Sequence, residues 1–105
     1  MKEVTVSELK SMKDNKEDFQ LIDVREPHEY EASNLSGELI PMHDLVKNTD
    51  RVSRDKKVVI HCRSGSRSGM VIQTLEKQFG FDNLYNLKGG ILAYAKEIDS
   101  TILVS

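Results

Sequence analysis

The chain has 105 residues, 38% of them hydrophobic and 30% charged, with a formal net charge of −2 and a single cysteine. That length fits one compact domain, residues 1–105, with one core. The faintly acidic balance lacks the basic footprint of a nucleic-acid binder, and one cysteine rules out an internal disulfide.

No run approaches the ~20 apolar residues of a membrane span, and "MKEVTVSELK" has no apolar signal region, so a cytoplasmic protein without membrane contact is expected. "EVTV" (3–6) alternates and predicts a short strand. Ser7 is then the candidate cap of a helix running to Asn15, with Leu9 and Met12 on its inner face and Lys10, Lys13 and Lys16 on a solvated one. "FQLIDV" (19–24) reads as a buried strand that ends in charge. Pro27 opens a brief helix in "EPHEYEAS", at a position where its missing N–H costs nothing. "NLSGELIPM" reads as irregular, punctuated by Gly37 and Pro41, and "HDLVKN" as one or two helical turns. "KKVVIH" (56–61) is a clear strand. Residues 66–79 show helical spacing, with Val71, Leu75 and Phe79 in one stripe and Gly80 at the stop. "NLYNL" (83–87) is a further strand, "KGG" a turn, and "ILAYAKEI" (91–98) a last helix.

Strands alternating with helices imply an α/β domain with a mainly parallel sheet covered on both faces. In such sheets ligands sit beyond the carboxyl ends of the strands. Two of those ends carry polar clusters: Asp23-Val24-Arg25-Glu26, and the loop that starts at Cys62.

The Cys62 loop, "CRSGSRSG", sits between a strand and a helix. Loop N–H groups can turn inward there, and the helix N-terminus adds partial positive charge. Gly65 lets the backbone curl, and Arg63 and Arg67 add permanent charge. A thiol in that setting is expected to ionise more readily than free cysteine. The alternative is an inert cysteine at a strand end, which would want apolar neighbours instead.

The stretches "LIDVREPHEY", "IPM", "VVIHCRSGSRS" and "LKGGILAYA", in this order over residues 21–95, resemble the successive signatures of rhodanese-type sulfurtransferase domains. The resemblance implies a rhodanese-like α/β fold with a central, mainly parallel five-stranded sheet flanked by helices on both faces. It implies that Cys62 is the catalytic nucleophile, taking a sulfane sulfur from thiosulfate or a persulfidated protein and passing it to a thiol, a protein acceptor or cyanide. Arg63, Ser64, Gly65, Ser66 and Arg67 would bind donor and persulfide, with Ser68 beside them. Asp23 and Arg25 match the family's Asp-x-Arg signature and are expected to brace the catalytic loop; the alternative is a solvated charge cluster. Related phosphatases and arsenate reductases carry Cys-x5-Arg, often with His before the Cys. His61 does precede Cys62, but the spacing to Arg67 is Cys-x4-Arg, a ring better suited to one sulfur than to phosphate. A sulfur carrier or a regulatory binding module is the other alternative.

His61 is expected to be structural, since a thiolate already formed needs no base, and His28 and His43 to lie at the surface. No His/Cys spacing suits a metal, and no cofactor is expected. Gly89-Gly90 matches the family's turn before the last helix, while Met42 and Met70 read as core or rim packing. Ser33-Asn34-Leu35 stands where the family has Gly-His-Ile, and Tyr94 where it has Trp. "YAKEIDSTILVS" resembles the end of rhodanese domains attached to adenylating enzymes, so the chain can also be read as part of a larger protein. The small frame predicts a shallow, open site.

Overall fold

A computed structural model of the chain describes residues 1–104; Ser105, the end of the C-terminal stretch, lies outside the described residues. The described strands form a five-stranded sheet in the order β1-β5-β4-β2-β3, with every pairing parallel. In chain order the elements are β1 (Glu3–Val4), α1 (Val6–Asp14), β2 (Gln20–Asp23), α2 (Pro27–Ala32), β3 (Glu38–Leu39) and α3 (Met42–Leu45). After a 3-10 turn at Thr49–Arg51 come β4 (Val58–His61), α4 (Ser66–Phe79), β5 (Leu84–Leu87) and α5 (Gly90–Glu97). No helix among the described residues is long and apolar enough to cross a membrane.

Local chemistry explains the boundaries. Thr5, not Ser7, caps α1: its hydroxyl accepts from the Glu8 N–H at 3.1 Å while the Glu8 carboxylate accepts from the Thr5 N–H at 2.9 Å. The pair forms a reciprocal capping box, and Ser7 is already inside the helix. Pro27 opens α2 as expected. Residues 38–39, read from sequence as irregular, add an edge strand to β2. Two residues are too few to show a period, and only pairing reveals them. Phe79 also departs from expectation. It is 38% exposed, because the chain turns at Gly80 in a left-handed conformation and Phe81 takes the buried place. Lys13 leaves its expected solvated face and donates to the Leu35 carbonyl at 2.6 Å.

The alternation along the strands sorts the core into two faces. Val58, Ile60 and Cys62 face one way, with Leu45 of α3 and with Val71, Ile72 and Leu75 of α4. Val59 faces the other, with Leu9 and Met12 of α1 and with Ile91 and Tyr94 of α5. Tyr94 thus fills core space. Each such fully buried aliphatic side chain contributes about 1.5–3 kcal/mol.

This alternation also corrects the expected role of Asp23 and Arg25. Both are buried, so they are not a solvated cluster. They pair with each other, Arg25 Nη2 to Asp23 Oδ2 at 2.8 Å and Nε to Oδ1 at 3.0 Å, and Arg25 also donates to the Ser33 carbonyl at 2.7 Å. Asp23 stands in register with His61, one residue out of phase with Cys62. The pair therefore ties β2 to the chain after α2, and none of these bonds reaches the loop that follows Cys62. Arg25→Met leaves the Asp23 carboxylate buried without its counter-charge and should cost about 3–5 kcal/mol in urea unfolding. A loss below about 1 kcal/mol would show that the pair is not a structural tie.

Candidate active site

β4 is the third of the five strands in the sheet order and is buried along its whole length. Cys62 follows its last residue, 1% exposed, and the chain must then turn from the sheet into α4. Gly65 makes that turn with φ +109°, a left-handed conformation that side chains resist, and it is the N-cap of α4. Ser66 is the first helical residue. The turn brings the Gly65 N–H to 3.1 Å from Cys62 Sγ, and the Ser68 hydroxyl lies 3.4 Å from the same sulfur. Burial pushes the Cys62 thiol up. The Ser68 hydroxyl and the N–H groups of Ser68, Gly65 and Ser64 more than offset this, so the thiol ionises below its ordinary range. Cys62 is thus in an anion cradle built from backbone donors. Its sulfur lies deeper than the open site expected from the chain's size, ringed by exposed Arg63, Ser64 and Ser66.

The loop is held from behind by α5. The Ile91 N–H donates to the Cys62 carbonyl at 3.0 Å and the Leu92 N–H to the Arg63 carbonyl at 3.1 Å. Gly90, at φ +62°, permits this approach: a Cβ there would lie 2.6 Å from the Cys62 carbonyl oxygen and closer still to that of Arg63. The Gly89-Gly90 pair is therefore more than a turn. It lets α5 dock on the loop. Asn86 of β5 closes the arrangement, donating from Nδ2 to the Gly65 carbonyl at 3.1 Å and accepting the Ser68 hydroxyl at Oδ1 at 2.6 Å.

Arg67 behaves otherwise than expected. Its guanidinium is held by Glu29 of α2 in a two-point ion pair, 2.7 and 3.0 Å, which directs it to α2. Glu29 responds strongly: the Arg67 hydrogen bonds hold its carboxyl down to about 2 despite partial burial. His61 is fully buried, on the opposite phase from Cys62, with its Nε2 at 3.7 Å from Asp23 Oδ2. Burial keeps its imidazole below the usual range, so it is neutral and turned away from the thiol. His28 and His43 are exposed. Met42 packs against the core, while Met70 is 60% exposed.

Of the residues singled out from sequence, Cys62, Gly65, Ser68 and the backbone N–H of Ser64 come together. The exposed side chains of Arg63, Ser64 and Ser66 stand on the rim, and Arg67, Asp23 and Arg25 are engaged elsewhere. Sequence reasoning missed Asn86 and Glu29. Asn86 had a signal, a polar side chain in phase with the buried Leu84 of β5; Glu29 had none beyond its place in the "REPHEY" run.

The family model described as "Rhodanese-like domain" matches residues 5–97. The uncharacterised protein YqhL of Bacillus subtilis is 41% identical over 80 residues, 75% of this chain and 63% of that one. A sulfurtransferase of Allochromatium vinosum is 38% identical over 81 residues, 76% of this chain and 75% of its own length. The crystal structure of a rhodanese-like domain protein from Staphylococcus aureus matches with a TM-score of 0.82 at 31% identity, over 93% of this chain and 95% of that one. The chain thus spans just under two thirds of the first relative and three quarters of the second.

The Glu29–Arg67 pair sets an acid limit. A carboxyl lowered to about 2 stabilises the fold fully above its unfolded value near 4.5, and the contribution is lost as pH falls toward 2. Glu29→Gln should remove that dependence and cost about 2 kcal/mol at neutral pH, less than the whole shift because Arg67 keeps part of its side chain in solvent. Urea titrations from neutral pH to about pH 2.5 check this; parallel curves for the two proteins would contradict it.

Proposed function

The chain belongs to the rhodanese-like domain family, and on that premise we propose that it is a sulfurtransferase carrying sulfur as a persulfide on Cys62. The Cys62 thiolate attacks the outer sulfur of thiosulfate or of a protein persulfide. A new S–S bond forms, the donor's own bond to that sulfur breaks, and sulfite or a thiolate leaves with the electron pair. Cys62 then holds a terminal sulfur that carries the negative charge. A thiolate acceptor, on a small molecule or a protein, or cyanide attacks that outer sulfur. The persulfide or thiocyanate departs, and the Cys62 thiolate is restored.

The observation that carries this reading is the convergence of the Gly65 N–H and the Ser68 hydroxyl on Cys62 Sγ, at 3.1 and 3.4 Å. The Gly65 N–H, fixed by the backbone, stabilises an anion on the sulfur without reorganising when it forms, and the Ser68 hydroxyl is within reach to turn to it. Arg63, Ser64 and Ser66 on the rim suit the anionic end of a donor, and the donors around the thiol favour its ionisation. The Cys-x4-Arg ring and the capture of Arg67 by Glu29 both speak against a phosphatase or arsenate reductase, whose loop arginine must face its oxyanion. A slow transferase and a sulfur carrier would share this same loop, and they differ only in how fast the second step runs.

Incubation with thiosulfate should add one sulfur, ~32 Da, to the native chain and none to Cys62→Ser. Cyanide should then remove it as thiocyanate, read by intact mass. If thiosulfate fails, a persulfidated cysteine desulfurase should load the same residue. No loading from either donor, or hydrolysis of an aryl phosphate in parallel, would overturn the reading.

A further inference from the structure

The Ser68 hydroxyl has one hydrogen and two acceptors within reach. Asn86 Oδ1 is 2.6 Å away and Cys62 Sγ 3.4 Å away. The orientation of the Asn86 amide is fixed by its other contact. The Gly65 carbonyl, 3.1 Å distant, can only accept, so Nδ2 must face it and Oδ1 must face Ser68. Oδ1 in turn can only accept, and the hydroxyl hydrogen therefore belongs to Asn86 by the shorter bond. In that arrangement Ser68 turns a lone pair toward Cys62. A protonated thiol can donate into this lone pair, and the chain Cys62–Ser68–Asn86 is satisfied at every link. A thiolate cannot. For the hydroxyl to serve the anion it must rotate, which strips Asn86 Oδ1 of its donor at a position only 6% exposed.

We propose that Asn86 is a positioning residue that holds the Ser68 hydroxyl away from Cys62 and so restrains ionisation of the nucleophile. Ser68 is then a switch with two settings: toward Asn86 when the inner sulfur is neutral, toward Cys62 when it is anionic. The backbone donors Gly65 and Ser64 favour the thiolate in both settings, and the side-chain pair sets how far. The proposal concerns the proton on Cys62 and holds whatever the thiolate later attacks.

The elements next to Cys62 carry charged and titratable groups of their own. Arg63 belongs to the loop, and Arg67 of α4 feels the Cys62 charge and is paired with Glu29 of α2. Asp23 ends β2 and forms a buried pair with Arg25, and His61 ends β4. β5 has Tyr85, followed by Lys88, and α5 has Tyr94, Lys96 and Glu97. The Asn86 side chain bonds the Gly65 carbonyl and the Ser68 hydroxyl, so its replacement reaches Cys62 through the hydroxyl.

The test is the pH dependence of Cys62 alkylation by iodoacetamide in the native chain, Asn86→Ala, Ser68→Ala and the double variant, with circular dichroism confirming the fold. Asn86→Ala should move the midpoint down, giving about three- to tenfold faster alkylation on the acid side of the profile. Ser68→Ala should move it up, and the double variant should match Ser68→Ala, because the effect of Asn86 passes through the hydroxyl. An Asn86 that merely supports the loop predicts the opposite sign, since loosening the cradle weakens the thiolate. A midpoint that rises or stays in Asn86→Ala, or a double variant that keeps the downward shift, overturns the proposal. Should Asn86→Ala fail to fold, the native chain decides by NMR. The side-chain carbonyl carbon of Asn86 should titrate with the same midpoint as Cys62, and a resonance that does not follow Cys62 overturns it.

Discussion

A peptide unit carries its N–H and its C=O on opposite sides, so anchoring one aims the other. The carbonyls of Cys62 and Arg63 are taken by the first turn of α5, through the Ile91 and Leu92 N–H groups. The amides of the same peptide units, those of Arg63 and Ser64, are thereby turned away from α5. Gly65 continues the curl, and its N–H reaches the sulfur. The site thus depends on a docking event between a loop and a helix N-terminus some thirty residues apart in sequence. That docking needs Gly90, where a β-carbon would strike both anchored carbonyls. A cysteine at the same strand end without this backing would be an ordinary buried thiol, raised by desolvation and inert.

Around the cradle, permanent charge is mostly matched. Arg25 is matched by Asp23, Arg67 by Glu29, and His61 is kept neutral by burial. The sulfur is therefore addressed chiefly by backbone dipoles, the N–H groups of the loop and the start of α4, with the Ser68 hydroxyl able to turn to it. Dipoles fixed by the fold suit an anion that comes and goes, because they remain tolerable when it is absent, whereas two bare guanidinium groups in the same small ring would repel each other. The pairing of Arg67 with Glu29 also gives α2, only six residues long, an anchor at the mouth of the loop.

Much of this was legible in the sequence. The 3.6-residue stripe of α4, the apolar run of β4 and the Gly/Ser/Arg loop between them locate the site, and their order carries the family resemblance. What the residues could not disclose was partnership. Arg67 reads as an anion ligand until α2 is seen to bring Glu29 against it. Asp23 and Arg25 read as supports of the loop until strand alternation sets them one residue out of phase with Cys62. β3 is two residues long and exists through its pairing with β2 alone. Asn86 was the one missed residue with a local signal, an amide among leucines, since a buried polar side chain is expected to have a partner.

The fold, and not the cysteine itself, lowers the pH at which this sulfur becomes anionic. Ultraviolet absorbance of the thiolate, followed against pH for the native chain and again for the chain unfolded in urea, measures it directly, with Cys62→Ser as the blank. Folding should lower the midpoint relative to the unfolded chain, because the donors at 3.1 and 3.4 Å outweigh burial. A native midpoint equal to or above that of the unfolded chain would mean that desolvation prevails and that the loop is no anion cradle.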